Sequence, residues 1–411
     1  MALSKVVKKP PSRTAPAAGR AGRATAVLGG VRRTTSLLVL AGVVLSFNLV
    51  AGNGSAEDRP ASFSEIAQTD ARAAAVELAG QARRLSEEIS SGRSRQAPRS
   101  PGTAASASLA DELNSQAEIL GEQSAVLTRT GSLRRGTPPS AAPVPDSSSG
   151  PGSEPAALYV QALADSARSS MDAALRADGG TARLLASTGA AQQALALRAA
   201  QAAGLDAPPL WEPAAAAGGS NSCSDGQAGP SSPSSGAASS GVAHAGVASE
   251  SNASPAAGPE DEDQPDAAGA LQGAIDAEYG AAYAHEVAMA RTSSAATRTA
   301  LGETREDHLA AGARGVLLLP ELCLPALTPA PAYSLPASFS DDPAGDLADL
   351  EAALPAVYAD LAGLGTGSVR AWAVDRLAEL STELYLEDAS VPASPGLDAE
   401  PEGLPRAAGT A

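Results

Sequence analysis

The side chains best equipped for chemistry lie close together late in the chain. Glu278 and His285 fall on one apolar stripe, Leu271, Ile275, Glu278, Ala282, His285 and Met289, whose steps alternate four and three. That spacing sets a carboxylate and an imidazole two turns apart on one helix face. A second stripe, Leu301, Arg305, His308, Gly312, Gly315 and Leu319, carries another imidazole. Carboxylate and imidazole together suit divalent transition metals, and a buried charge needs a partner or a shifted pKa. Glu278, His285 and His308 are therefore the candidate metal ligands, with iron or manganese as the cation. Arg305 stands beside that half-site as a candidate salt-bridge partner. The competing reading is a satisfied polar cluster that fixes helix register. That cluster needs no cofactor.

Other chemistries find little support. The sequence holds no GxSxG elbow, no P-loop and no GxGxxG followed by a nucleotide-binding helix. Three histidines in all leave little room for a Ser/His/Asp arrangement, and one of them, His244, lies in a Ser/Gly/Ala tract. The stretch Glu303 to His308 is not HExxH, and Tyr279 and Tyr283 read as packing residues. The expectation is a non-catalytic protein, with metal binding as the alternative.

The elements that must position these residues are helices. Apolar residues recur at helical spacing from Ser62 to Ile89, where Val76, Leu78, Ala82, Leu85 and Ile89 mark one face. They recur from Ser108 to Leu127, and again from Pro155 through Leu158, Leu163, Ala167, Met171 and Leu175. Asp178-Gly179-Gly180 stops that third helix, and Thr181 can cap a fourth running to Gly204, weakened by Gly189 in its middle. Later come helices from about Asp266 to Arg291, Ser294 to Leu319, Pro343 to Leu364 and Ser368 to Glu387. The third of this set has a wholly aliphatic seam, Leu347, Leu350, Leu354, Val357, Leu361 and Leu364, which Glu351 only flanks. Pro355 removes one of its backbone hydrogen bonds. The fourth reads Val369, Trp372, Leu377, Leu380 and Leu384, with Glu379, Glu383 and Glu387 along one edge. Two hairpins joined by a long proline-dense crossover make a four-helix bundle of non-sequential connection. Gly and Pro interruptions exclude an extended coiled-coil spacer.

The flanking composition sets the organisation. Residues 1–33 are basic, with eight Lys and Arg and no acid, and are expected to be disordered. Residues 34–56 are uncharged and contain TTSLLVLAGVVLSFNLVAG, near the ~20 apolar residues that span a bilayer. The cations before it and Glu57-Asp58 after it place the body outside the membrane. A cleaved signal and a retained anchor both fit this segment. Residues 57–205 form a helical region, 206–265 a low-complexity acidic linker, 266–388 the bundle, and 389–411 a disordered tail. The net charge is −17 although the N-terminus is basic, so the body is strongly acidic. An acidic body excludes nucleic acid as a partner, since phosphate recognition needs a cationic face. A protein partner in the envelope and the membrane, through an uncleaved leader, remain open. Cys223 and Cys323 could pair in an oxidising compartment, and two free thiols is the simpler expectation.

Residues 270–388 also resemble a known family. The stretch ALQGAIDAEYGAAYAHEVA, the connector PAPAYSLP and DPAGDLADLEAALPAVYADLA are similar to the ferritin-like domain of unknown function of exported actinobacterial proteins. DGGTARLLASTGAAQQALALRAAQAAGL, at 178–205, resembles the helical region that precedes that domain in longer members. The resemblance implies an all-α protein with a C-terminal ferritin-like four-helix bundle, located in the cell envelope. It carries no assigned reaction. Di-iron bundles take a Glu from each of two helices and Glu-x-x-His from each of the other two. Here the residue three before His308 is Arg305, and the last two helices contain no His. The metal pattern fails on at least two helices, which favours the satisfied cluster and leaves a degenerate half-site as the alternative.

Overall fold

The computed structural model describes residues 60–93, 102–129, 153–213, 266–386, 391–397 and 404–407. Eight helices dominate them: α1 (Phe63–Arg93), α2 (Gly102–Arg129), α3 (Ser153–Ala174), α4 (Gly179–Ala203), α5 (Ala267–Arg291), α6 (Ala295–Val316), α7 (Pro343–Leu364) and α8 (Gly367–Tyr385). The fold class is all-α, as expected. The basic N-terminus, the uncharged leader and most of the acidic linker lie outside the described residues. Among the described residues no helix is long and apolar enough to cross a membrane.

Local chemistry sets the helix starts. Ser62 and Glu65 form a reciprocal capping box before α1: Glu65 N donates to Ser62 Oγ at 3.2 Å, and Ser62 N donates to Glu65 Oε2 at 2.7 Å. Asp178, rather than Thr181, caps α4, accepting from Thr181 N at 3.1 Å. A carboxylate one residue ahead of a Gly-Gly pair reaches the free N–H groups first, and Thr181 then lies inside the helix. Asp266, Ser294 and Asp342 cap α5, α6 and α7 in the same way, with Pro343 opening α7. Gly204, at φ 64°, ends α4 in a left-handed cap whose neighbour Leu205 N donates to Ala200 O at 2.9 Å.

The helices pack as antiparallel hairpins, α1 with α2, α3 with α4, α5 with α6 and α7 with α8. Helices α1–α4 form one bundle and α5–α8 another. The second keeps the expected long crossover between α6 and α7. Helix α4 also packs on α7 and α8, and the described residues from Ala61 on form one compact unit. Sixteen residues of α4 are buried, so it is covered on every side. One core therefore runs from Leu127, Met171 and Leu185 to Leu271, Leu354 and Leu377. Arg370 ties the halves together further, donating from Nη1 to Ala177 O at 2.6 Å beyond the end of α3.

Several expectations shift. Val76 and Leu158, read as core residues, are exposed, while Ala75, Ala79, Ala156 and Tyr159 are buried. Alanine contributes so much of the interface that the largest apolar side chain does not mark the inner face. The crossover holds two 3₁₀ turns, Leu319–Leu322 and Ala337–Ser340, and a two-residue strand β1 (Tyr333–Ser334). This strand pairs antiparallel with β2 (Arg406–Ala407) from the tail. The tail, expected to be disordered over 389–411, is packed at 391–397 and 404–407. Val391 is buried, Ser187 Oγ donates to Pro395 O at 2.7 Å, and Pro405 lies on Gly280. Helix α7 continues through Pro355. Cys323 is disulfide-bonded and not a free thiol; Cys223 lies outside the described residues.

Gly189, read as a weak point of α4, is where α3 comes closest. A Cβ there would meet Met171 Cγ at 2.7 Å, Ala167 O at 3.1 Å and Met171 N at 3.3 Å. Helix propensity alone would make Gly189→Ala stabilising by about 1 kcal/mol. Overpacking against a backbone carbonyl costs about 1–3 kcal/mol and wins. Urea unfolding of Gly189→Ala should show a lower midpoint than wild type; a higher midpoint would mean that α3 yields without cost.

Candidate functional site

Helices α5, α6, α7 and α8 each send one or more polar side chains into the axis of their bundle. Small residues make the room. Ala274, Ala277 and Ala281 flank Glu278 on α5, and Gly315 on α6 lets Ile275 and Trp372 approach to 2.7 Å of where a Cβ would stand. Glu278 is fully buried and His308 almost so. His308 Nδ1 meets Glu278 Oε2 at 2.6 Å, and its Nε2 meets Glu351 Oε1 at 3.0 Å. The other Glu278 oxygen accepts from the Tyr358 hydroxyl at 2.5 Å and from Arg376 Nε at 3.0 Å. Arg376 Nη1 donates to Glu379 at 3.2 Å, and Arg314 reaches the same carboxylate. The Tyr358 ring is held edge-on against Trp372, with centroids 5.3 Å apart.

The charges answer one another. Burial alone would raise the Glu278 carboxyl; the His308 hydrogen bond and the Arg376 and His308 charges overcome it and hold the group at about 2. Burial alone would lower His308; hydrogen bonds and charge from Glu278 and Glu351 push it up to about 9. Burial lifts the Tyr358 hydroxyl well above its ordinary range, and the Glu278 charge adds to this. At neutral pH, then, His308 donates through both ring nitrogens, and two carboxylates face two cations. His285 differs: burial lowers its pKa, and its Nδ1 lies 3.0 Å from Ala281 O, so the ring is neutral with Nδ1 donating. Its Nε2 then carries a lone pair and stands 3.7 Å from Glu351 Oε1.

The three expected residues do come together. Glu278 and His308 are in direct contact, and the His285 and His308 rings are 5.3 Å apart. Arg305 does not join them. It pairs with Glu286 at 3.1 Å and Glu306 at 2.9 Å near the surface. Arg376 takes the partner role instead. Sequence reasoning missed Arg376, Tyr358 and Glu351. Arg376 was readable as the i+4 neighbour of Trp372, a cation on an apolar stripe, and Tyr358 lies two turns from Glu351 on α7. Among the described residues, the group able to hold a metal ion is His285, His308 and Glu351, with ligand atoms within 4.8 Å of one another. A two-metal site does not fit, since Arg376 occupies the side of Glu278 where a second cation would stand.

A cleft of about 180 Å³ opens beside the cluster, lined by Tyr279, Tyr283, Tyr333, Glu286, Arg305 and Pro331 among others. Residues 270–399 match a family described as a domain of unknown function (DUF4439), of ferritin-like type. No curated protein and no solved structure matches the chain.

Removing one member of a buried ion pair strands its partner, at a cost of about 3–5 kcal/mol. Arg376→Met should lower the urea-unfolding free energy by about that much; a change under about 1 kcal/mol would place the pair outside the energetics of the fold. The pH profile has two limbs. The Glu278 contribution is complete above its unfolded value of 4.5 and is lost as pH falls through about 2. The His308 contribution is complete below 6.5 and is lost as pH rises through about 9. Unfolding measured in the presence of a chelator should show declining stability from pH 6.5 to 9, with that limb flattened in His308→Gln.

Proposed function

We propose, with the matched ferritin-like-type domain as the premise, that this chain is an exported or membrane-tethered cell-envelope protein and a non-catalytic binding or structural module. The observation that carries the non-catalytic reading is the closed cluster around Glu278. The acid, the base and the cations that could do chemistry are buried and committed to one another. A general base must reach the proton that it takes from a substrate, and His308 has both ring nitrogens engaged.

The location rests on other grounds. The uncharged segment 34–56 follows eight cations, and the resemblance of residues 270–388 to a domain of exported actinobacterial proteins supports the same reading. The disulfide at Cys323 agrees with an oxidising compartment. The cleft at Tyr279, Tyr283 and Tyr333 supports a binding role, since its aromatic walls and the Arg305–Glu286 pair at its edge suit a small ligand or a peptide. The alternative is an iron- or manganese-binding protein with a half-site at Glu278, His285 and His308. Against Glu278 as a direct ligand stands its engagement by Tyr358 and Arg376 on one oxygen and His308 on the other.

Fractionation of the native host should find the protein in the envelope or the medium, and protease added to intact spheroplasts should degrade it. N-terminal sequencing should give either the intact leader or a start near residue 57. Recovery from the cytosol in a protease-protected form would overturn the export reading.

A further inference from the structure

Each of the two buried histidines has its Nδ1 already assigned. His285 Nδ1 donates to the Ala281 carbonyl at 3.0 Å, and His308 Nδ1 is held by the Glu278 carboxylate at 2.6 Å. Both Nε2 atoms converge on one oxygen, Glu351 Oε1, at 3.7 Å and 3.0 Å. Metal-bound imidazoles are arranged in this way, with the far nitrogen donating to a carbonyl or carboxylate that fixes tautomer and ring orientation. Glu351 is the least buried of the three, with 18% of its side chain exposed, so an ion has a route in.

We infer that His285 Nε2, His308 Nε2 and a Glu351 carboxylate oxygen form a site for a single divalent transition-metal ion, with Glu278 as the positioning residue behind His308. Two imidazoles and one carboxylate suit zinc, cobalt and iron more than magnesium or calcium. Tetrahedral ligands bound at about 2.1 Å lie about 3.4 Å apart, so atoms within 4.8 Å of one another need to close by at most about 1.4 Å, which side-chain rotation supplies. Binding replaces one proton with a divalent ion, so the site gains one positive charge. The ion takes the Nε2 lone pair of His308, the proton on that nitrogen leaves to solvent, and Nδ1–H stays on Glu278. The site takes one ion because the fourth helix brings Arg376 and not a ligand. This inference does not depend on the envelope reading; a secreted protein without metal and a cytosolic protein with metal are distinguishable outcomes.

The chain has three histidines, His244, His285 and His308, which makes the test direct. The full chain, labelled with ¹⁵N and stripped with EDTA, is titrated with Zn(II) while the imidazole nitrogens are followed by NMR. Two of the three rings should shift together and saturate at one Zn(II) per chain. Co(II) should give a visible absorption band that Zn(II) removes. Glu351→Gln should weaken Zn(II) binding at least about tenfold, and Glu278→Gln by about 10–100-fold with the stoichiometry kept. Circular dichroism checks that each variant is folded; if Glu351→Gln is not, His285→Gln replaces it. The wild-type titration decides by itself: no shift, a shift of one ring, or a shift of His244 alone overturns the site. So does unchanged affinity in a folded Glu351→Gln.

Discussion

A fully buried carboxylate is the constraint around which the C-terminal bundle is organised. Glu278 sits in the bundle axis among alanines, where an isolated anion would be too costly to keep. Three helices answer it, with His308 from α6, Tyr358 from α7 and Arg376 from α8. Apolar stripes can slide by a turn at small cost, but this set of contacts cannot. A slip of α8 would leave Arg376 and Glu278 both desolvated and unpaired. The cluster thus specifies register more than it adds net stability, in keeping with the modest worth of buried ion pairs against well-packed apolar replacements.

Elsewhere the molecule is held by closeness more than by bulk. Alanine and glycine let backbones approach, as Gly189 does for α3 and Gly315 for Trp372. Small side chains bury little area each, so the interfaces are long. Buried amides supplement them: Gln116 donates to Leu195 O at 3.0 Å and accepts from Tyr159 at 2.9 Å, joining α2, α3 and α4. Arg198 and Glu112 form a further half-buried pair at 2.6 Å between α4 and α2.

Much of this was legible in the sequence. Helix positions and the long crossover follow from periodicity, proline and capping residues, which act locally. The neighbourhood of Glu278, His285 and His308 also follows, since each lies on an apolar stripe. What was not legible required knowing which helices meet. Arg305 and Arg376 are both cations within reach of a seam; only the placement of α8 across the axis from Glu278 selects Arg376. Glu351 flanks its own seam, and whether a flanking residue faces the axis depends on the rotation of α7. In the N-terminal bundle, alanine's small contrast with its neighbours hid the inner face, so Val76 and Leu158 were misplaced. The ordered tail escaped notice because its pairing partner, Tyr333, lies more than seventy residues away in a proline-dense crossover.

The position of α4 bears on how the molecule can be divided. A boundary drawn by similarity, at residue 270, cuts between α4 and the two helices that lean on it. A fragment beginning there would keep the acid–base cluster and the cleft. It would also lay bare the sides of α7 and α8 that pack on α4 in the whole chain. The matched segment and the compact unit are thus different objects here, and the smaller one is the stickier.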